Sequence, residues 1–242
     1  MLNVILINLL SLVGSYALGA FPTGLFVAKM WNIDVRKHGS GRTGGTNVLR
    51  TVGWRAFALT VGGDILKGVL AVLLARVVVP EIHSAHATAV LGVLLGHNWS
   101  IWIALLAKPD PDTQYAPPPR GWLQWLTTQG RGGAGVATTV AAAATLFPPV
   151  LIAAPLPLFI LYYWRYASLA SLSVTIIFPL EMLVFGWLGY TPWSYFLIAV
   201  IASVIIFWVH LPNIERLRNG TEKRFGQRLV EKKPAAPHAK NG

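Results

Sequence analysis

From Arg36 to Arg50 the chain reads RKHGSGRTGGTNVLR, a run of glycines and hydroxyl residues with cations at both ends. Gly39, Gly41, Gly44 and Gly45 let backbone N–H groups come close to a ligand, and Ser40, Thr43, Thr46 and Asn47 add short hydrogen-bonding side chains. Arg36, Lys37, Arg42 and Arg50 bring positive charge, and a guanidinium can grip a phosphate through two parallel hydrogen bonds. Anion binding is the chemistry this combination serves; a basic loop lying at a membrane face is the plainer alternative. A second segment, RGGAGVATT from Arg131 to Thr139, opens onto an apolar stretch, where a helix N-terminus would aim its free N–H groups at the same kind of ligand. Neither segment has the G-x-x-x-x-G-K-[ST] spacing of a Walker loop.

Asp64 and Lys67 stand three residues apart in an apolar run and so share a helix face. An ionisable side chain at mid-membrane costs roughly 2.5–3.5 kcal/mol on insertion scales, so the two are expected to face inward, as a structural ion pair or as part of a site. His97 is another polar residue in an apolar stretch, either a satisfied interior histidine or a functional one. Glu81, His83 and His86 share a short loop without a further ligand and read as solvated, so no metal or cofactor is expected.

The elements that must carry these groups are set by composition. Of the 242 residues 54% are hydrophobic and 12% charged, and the mean hydropathy is +0.55, far more apolar surface than one soluble core of this size requires. The reading is an all-α, polytopic membrane protein. There is no cysteine, which excludes disulfides and thiolate metal sites. A net charge of +11 resembles a nucleic-acid binder's, yet the cations lie in loops and a tail beside apolar spans, which suits lipid headgroups and phosphorylated substrates instead.

Leu2 to Ala20 reads as a retained first span, followed by a kink at Pro22 to Gly24 on the way to Lys29. Trp54 to Val79 is a second span and Ala87 to Ala107 a third. Residues 108–129 depart in composition: KPDPDTQYAPPPR is expected to be extended or disordered, and GWLQWL to lie in the headgroup layer. Val136 to Tyr163 is too long for one span and is expected to be two helices meeting near Pro148 and Pro149. Ser168 to Gly189 and Trp193 to Val209 complete about seven spans, and Glu181 inside the sixth needs a partner. Residues 1–211 then form the membrane domain and 212–242 a basic C-terminal segment, disordered from about 230. Lys and Arg cluster between Lys29 and Arg55, between Lys108 and Arg131, at Arg165, and from Arg216 to Lys240, whereas the alternate connections lack them apart from Arg76. That bias puts the N-terminus outside and the C-terminus in the cytoplasm, with both glycine-rich segments on the cytoplasmic face.

Several separated segments, in order along nearly the whole chain, resemble the bacterial acyl-phosphate-dependent glycerol-3-phosphate acyltransferase family: GSYALGAFPTG at Gly14–Gly24, DVRKHGSGRTGGTNVLR at Asp34–Arg50, GDILKG at Gly63–Gly68, Gly96–His97, RGGAGVAT at Arg131–Thr138, SLASL at Ser168–Leu172 and HLPNIERLRNGTE at His210–Glu222. The resemblance implies transfer of an acyl group from acyl phosphate to the 1-hydroxyl of glycerol-3-phosphate, in the bacterial cytoplasmic membrane, without a cofactor. It implies catalytic roles for Ser40, Arg50, His210 and Asn213. Substrate binding is expected of Arg36, Gly39, Gly41, Arg42, Thr46, Asn47, Lys67, His97, Arg131, Gly132, Gly133, Gly135, Thr138, Ser168 and Ser171, and structural roles of Asp64 and Glu222. The hydroxyl would attack the acyl carbonyl directly, and a substrate phosphate would take the proton. The chain departs from the family pattern at Arg42, where an asparagine is usual, at Ser100, in the 108–129 insertion, and at Ala134, where a lysine is expected. Arg42 is expected to replace that lysine. A transporter of a phosphorylated solute would also need spans and anion loops, but internal repeats are lacking; a weakened relative acting as a scaffold would account for Ala134.

Overall fold

The computed structural model describes residues 2–107 and 115–228, and every described element is helical, with one isolated bridge between Trp99 and Arg131. The expected extended stretch at 108–114 and the expected tail disorder from about 230 lie outside the described residues. Twelve α-helices follow in order: α1 Leu2–Gly19, α2 Thr23–Lys29, α3 Gly45–Thr51, α4 Trp54–Val78, α5 His83–Asn98, α6 Ile101–Leu106, α7 Arg120–Gln129, α8 Val136–Leu146, α9 Pro155–Trp164, α10 Ala167–Trp187, α11 Trp193–Val209 and α12 Leu211–Arg218.

At 1.5 Å per residue, the 25 residues of α4 and 21 of α10 reach roughly 37 and 32 Å, enough for a hydrocarbon core of about 30 Å. Among the described residues three helices are long and apolar enough to cross a membrane, Leu2–Lys29, Trp54–Val78 and Ala167–Trp187. A fourth is added if α11 and α12, bent by 54° at His210, count as one span, and shorter apolar helices cover Val136–Leu146 and Pro148–Trp164.

The breaks at Pro22 and at Pro148 and Pro149 fall where the prolines put them: α1 stops before Pro22, and a 3-10 turn over Pro148–Ala153 separates α8 from α9. The single third span expected over Ala87 to Ala107 is corrected. Helix α5 begins at His83 and ends at Asn98, Trp99 is extended, and α6 starts afresh. Ser100 makes the break, because its Oγ accepts from Ile103 N at 3.2 Å as the α6 N-cap while donating to the Ala20 carbonyl. Glu181 finds its partner in the Ala153 N–H at 3.2 Å.

The core sits around α5. Ala87, Ala89, Val90, Val93 and Leu94 are fully buried, an apolar surface on several sides that only a central helix tolerates. Glycines bring neighbouring backbones close: Gly92 and Gly96 rest on the Leu12 and Tyr16 carbonyls of α1, and Gly68 of α4 rests on the Thr138 carbonyl of α8. This bundle carries the glycine-rich segments at one end.

Candidate functional site

The first glycine-rich loop is shaped by one amide. Asn47, in the first turn of α3, accepts from Ser40 N at 3.1 Å through Oδ1, and its Nδ2 faces the carbonyls of Val35, His38 and Arg42 at 3.2, 3.0 and 2.9 Å. Gly39 and Gly41 turn the loop with φ of 64° and 70°. Asn47 is therefore a former of the loop, its polar atoms all engaged by backbone, where contact with substrate was expected. Arg36 also stands apart: Nε and Nη2 bind both oxygens of Asp34 at 2.9 and 2.8 Å, and that hydrogen bond holds the Asp34 carboxyl below its usual pKa. Ser40 is exposed on the loop and Thr46 half-buried.

The second loop is strapped to the end of α5. Ser100 N donates to the Gly130 carbonyl at 2.8 Å, Gly132 N to the Asn98 carbonyl at 2.9 Å, and the Asn98 amide, turned with Nδ2 to the loop, reaches the carbonyls of Gly133 and Ala134, each at 3.2 Å. Gly132 and Gly133 lie directly on His97, whose carbonyl and Nε2 occupy the places where their Cβ atoms would be. Gly135, with φ of 82°, starts α8 without a side-chain cap, so the first N–H groups of that helix face the loop.

The loops meet backbone to backbone: a Cβ on Gly44 would stand 3.1 Å from Gly133 Cα. Arg42 crosses this seam. Its Nη1 donates to the Gly133 carbonyl at 3.2 Å and its Nη2 to the Val209 carbonyl at 3.3 Å, so one guanidinium joins both loops to the end of α11. Burial, and then the charges of Arg131 and Arg216, lower its pKa to about 10.

The bend between α11 and α12 forms the third wall. His210 Nδ1 donates to the Ile206 carbonyl at 2.8 Å, which leaves Nε2 as the acceptor of a neutral ring. Glu222 closes the wall: Oε1 accepts from Ser168 Oγ at 3.2 Å and Asn213 Nδ2 at 3.1 Å, and Oε2 from Arg216 Nε at 2.7 Å. Arg50 Nη2 lies 3.8 Å from the same carboxylate and donates to the Lys223 carbonyl at 3.0 Å, while its buried Nε has no partner. Burial lowers the Arg50 pKa, against the opposing pull of Glu222. Ser171 lies one turn along α10 from Ser168, half-buried, and makes no side-chain hydrogen bond among the described residues.

Beneath the second loop lies a buried charged layer. Lys67 Nζ is 3.0 Å from Asp64 Oδ1 and donates to the Phe21 carbonyl at 3.2 Å; His97 Nδ1 faces Asp64 Oδ1 at 3.5 Å and Thr138 Oγ1 at 3.3 Å. Lys67, His97 and Thr138, for which substrate contact was expected, are buried, His97 against Gly132 and Gly133 and Lys67 against the Phe21 carbonyl. Sequence reasoning gave no role to Asn98 or Arg216, and noted Ser100 only as a departure from the family pattern. Asn98 follows His97 directly, and Arg216 stands within the His210–Glu222 segment, so position alone was the available signal. Arg131 and Arg216 lie close enough to Arg42 for their charges to act on it, and the Glu222 carboxylate bound to Arg216 is taken up by its own partners.

The sequence profile described as glycerol-3-phosphate acyltransferase matches residues 9–106 and 121–220, leaving 107–120 between its two parts. A glycerol-3-phosphate acyltransferase of Alkaliphilus metalliredigens is 37% identical over 225 residues, 92% of this chain and 98% of that one. That of Thermus thermophilus is 32% identical over 217 residues, 89% and 94% of the two chains. Among solved structures the fold is similar to PlsY (YgiH), an integral membrane glycerol 3-phosphate acyltransferase, in its glycerol 3-phosphate form, with a TM-score of 0.72 and 28% identity over 90% of this chain and 95% of that one. Its lysophosphatidic acid form gives 0.69.

Proposed function

The chain belongs to the glycerol-3-phosphate acyltransferase family, and from that premise we propose that it transfers a fatty acyl group from acyl phosphate to the 1-hydroxyl of glycerol-3-phosphate, giving lysophosphatidic acid and phosphate. The observation that carries this reading is the crossing of Arg42 from one glycine-rich loop to the Gly133 carbonyl of the other, with Arg131 and Arg216 near it and the Glu222 carboxylate engaged by its own hydrogen bonds. A site that gathers guanidiniums and loop amides suits two phosphorylated substrates held side by side.

In the proposed reaction the glycerol hydroxyl attacks the acyl carbonyl. The new ester C–O bond forms, the bond from the acyl carbon to the phosphate oxygen breaks, and the hydroxyl proton passes to a substrate phosphate. Gly132, Gly133 and Gly135 cradle the glycerol phosphate, Arg42 and Arg131 neutralise it, and Ser40, Arg50 and His210 Nε2 face the reacting groups. Asn213 acts through Glu222, whose carboxylate also holds Arg216. In the bilayer, α5, α8 and α9 would add to the longer spans to give about seven crossings. The Lys/Arg distribution supports a bacterial cytoplasmic membrane location with the site facing the cytoplasm.

The test is an assay of the purified protein with glycerol-3-phosphate and either acyl phosphate or acyl-CoA. Turnover with acyl phosphate alone is expected, and comparable rates with both donors would remove the donor assignment.

A further inference from the structure

His97 and Asp64 form a continuous support under the second glycine-rich loop. The Asp64 carboxylate, fixed on α4, faces His97 Nδ1 at 3.5 Å, and Thr138 Oγ1 approaches the same nitrogen at 3.3 Å. Thr138 Oγ1 is the hydrogen-bond partner of Nδ1 and the Asp64 carboxylate stands beside it in ion-pair range, so the imidazole cannot rotate freely, and its far edge, Nε2, lies against Gly133. The His97 carbonyl lies against Gly132 in the same way. Both glycines therefore rest on one residue, and Gly133 in turn touches Gly44 and accepts from Arg42. All three supporting side chains are buried, so water does not compete for these contacts.

We propose that Asp64 and His97 are positioning residues that set the height of the second glycine-rich loop, and through it the spacing between the loop amides and Arg42. The glycerol-phosphate cradle is the substrate group whose fit they control. Neither residue touches substrate. Lys67 belongs to the layer as the counter-charge that lets the Asp64 carboxylate stay buried, which is why Asp64 is varied together with it. The inference rests on the reading of this loop as the glycerol-phosphate cradle, but its structural half, loop height, is measurable without turnover.

Two double variants separate support from mere packing. Asp64→Asn with Lys67→Met removes the buried charges together and keeps a polar oxygen beside His97 Nδ1. Asp64→Leu with Lys67→Met removes that oxygen as well. Hydrogen exchange at the Gly132–Gly135 amides should rise tenfold or more in the Leu pair and stay near wild type in the Asn pair. The KM for glycerol-3-phosphate should follow, up at least tenfold in the Leu pair with kcat within threefold. Equal exchange and equal KM in the two pairs would overturn the proposal. If the Leu pair does not fold, His97→Gln and His97→Asn decide on the same readouts. Glutamine reaches Gly133 and should preserve loop protection, asparagine stops short and should lose it, and identical behaviour again refutes the idea. A wild-type protein inactive on glycerol-3-phosphate would remove the functional reading alone, because the exchange contrast still decides the positioning claim.

Discussion

Replacing Arg42 by Asn removes the two charge-assisted hydrogen bonds to the Gly133 and Val209 carbonyls and one cation from the site. At 3.2 and 3.3 Å both bonds are longer than the usual 2.9–3.0 Å, so the lower end of the range for a charged hydrogen bond, about 1.5 kcal/mol, fits the lost positioning. A lost direct contact with the substrate phosphate adds about as much again, and about 3 kcal/mol corresponds to a rise of roughly hundredfold in KM for glycerol-3-phosphate. Ala134 is half-buried, next to Gly133 and beside Gly44, so a lysine there would project from the same seam. In the wild type Ala134→Lys adds another cation to the crowding of Arg42, Arg131 and Arg216 and should not improve binding. In the Arg42→Asn background the same change should recover much of the loss. Initial rates against glycerol-3-phosphate at saturating acyl phosphate, for all four proteins, give the coupling. Effects additive within about 0.5 kcal/mol would refute the exchange of one cation for the other.

Glu222→Ala should destabilise the protein more than any activity effect explains, because Ser168, Asn213 and Arg216 lose an acceptor and Arg50 is left buried without its counter-charge. Breaking a buried pair costs about 3–5 kcal/mol, and the partial exposure of Arg216 places this case near the lower figure; thermal unfolding in detergent should show a loss of several degrees, with Glu222→Gln losing less. Cysteines introduced at Pro118 and at Gln227, in a chain that has none, should resist a membrane-impermeant thiol reagent in intact cells and react after lysis. Reaction of either before lysis would overturn the proposed orientation.

The features legible in the sequence were those whose cause is local. Glycines such as Gly39 and Gly41 turn a loop wherever they lie, and Pro22 and Pro148 interrupt a helix whatever surrounds them. The Asp64–Lys67 pair was legible from spacing and the cost of burial, and the ions are 3.0 Å apart. What escaped depends on partners far along the chain. Nothing around Ser100 suggests a break, because the donor to the Ala20 carbonyl is visible only once α1 lies beside α5. Asn47 looks the same in the sequence whether it meets a ligand or its own loop, and four backbone groups between Val35 and Arg42 decide the matter. His97 and Thr138 were singled out in the sequence, but that they meet each other, with His97 against Gly132 and Gly133, follows from the stacking of α5 and α8.

The hydrogen bond from Arg50 to the Lys223 carbonyl joins residues 173 positions apart. Membrane chains are made and inserted from the N-terminus, at about 5–20 residues per second. The first glycine-rich loop therefore exists for many seconds before its counterpart leaves the ribosome, with Arg50 lacking both Glu222 and the carbonyl it binds. A truncated chain that ends between Val209 and Glu222 carries every apolar helix from α1 to α11, yet it lacks the carboxylate that Ser168, Asn213 and Arg216 share and that faces Arg50. The apolar helices are therefore complete in the chain before the proposed site is, and that site waits for the segment around Glu222.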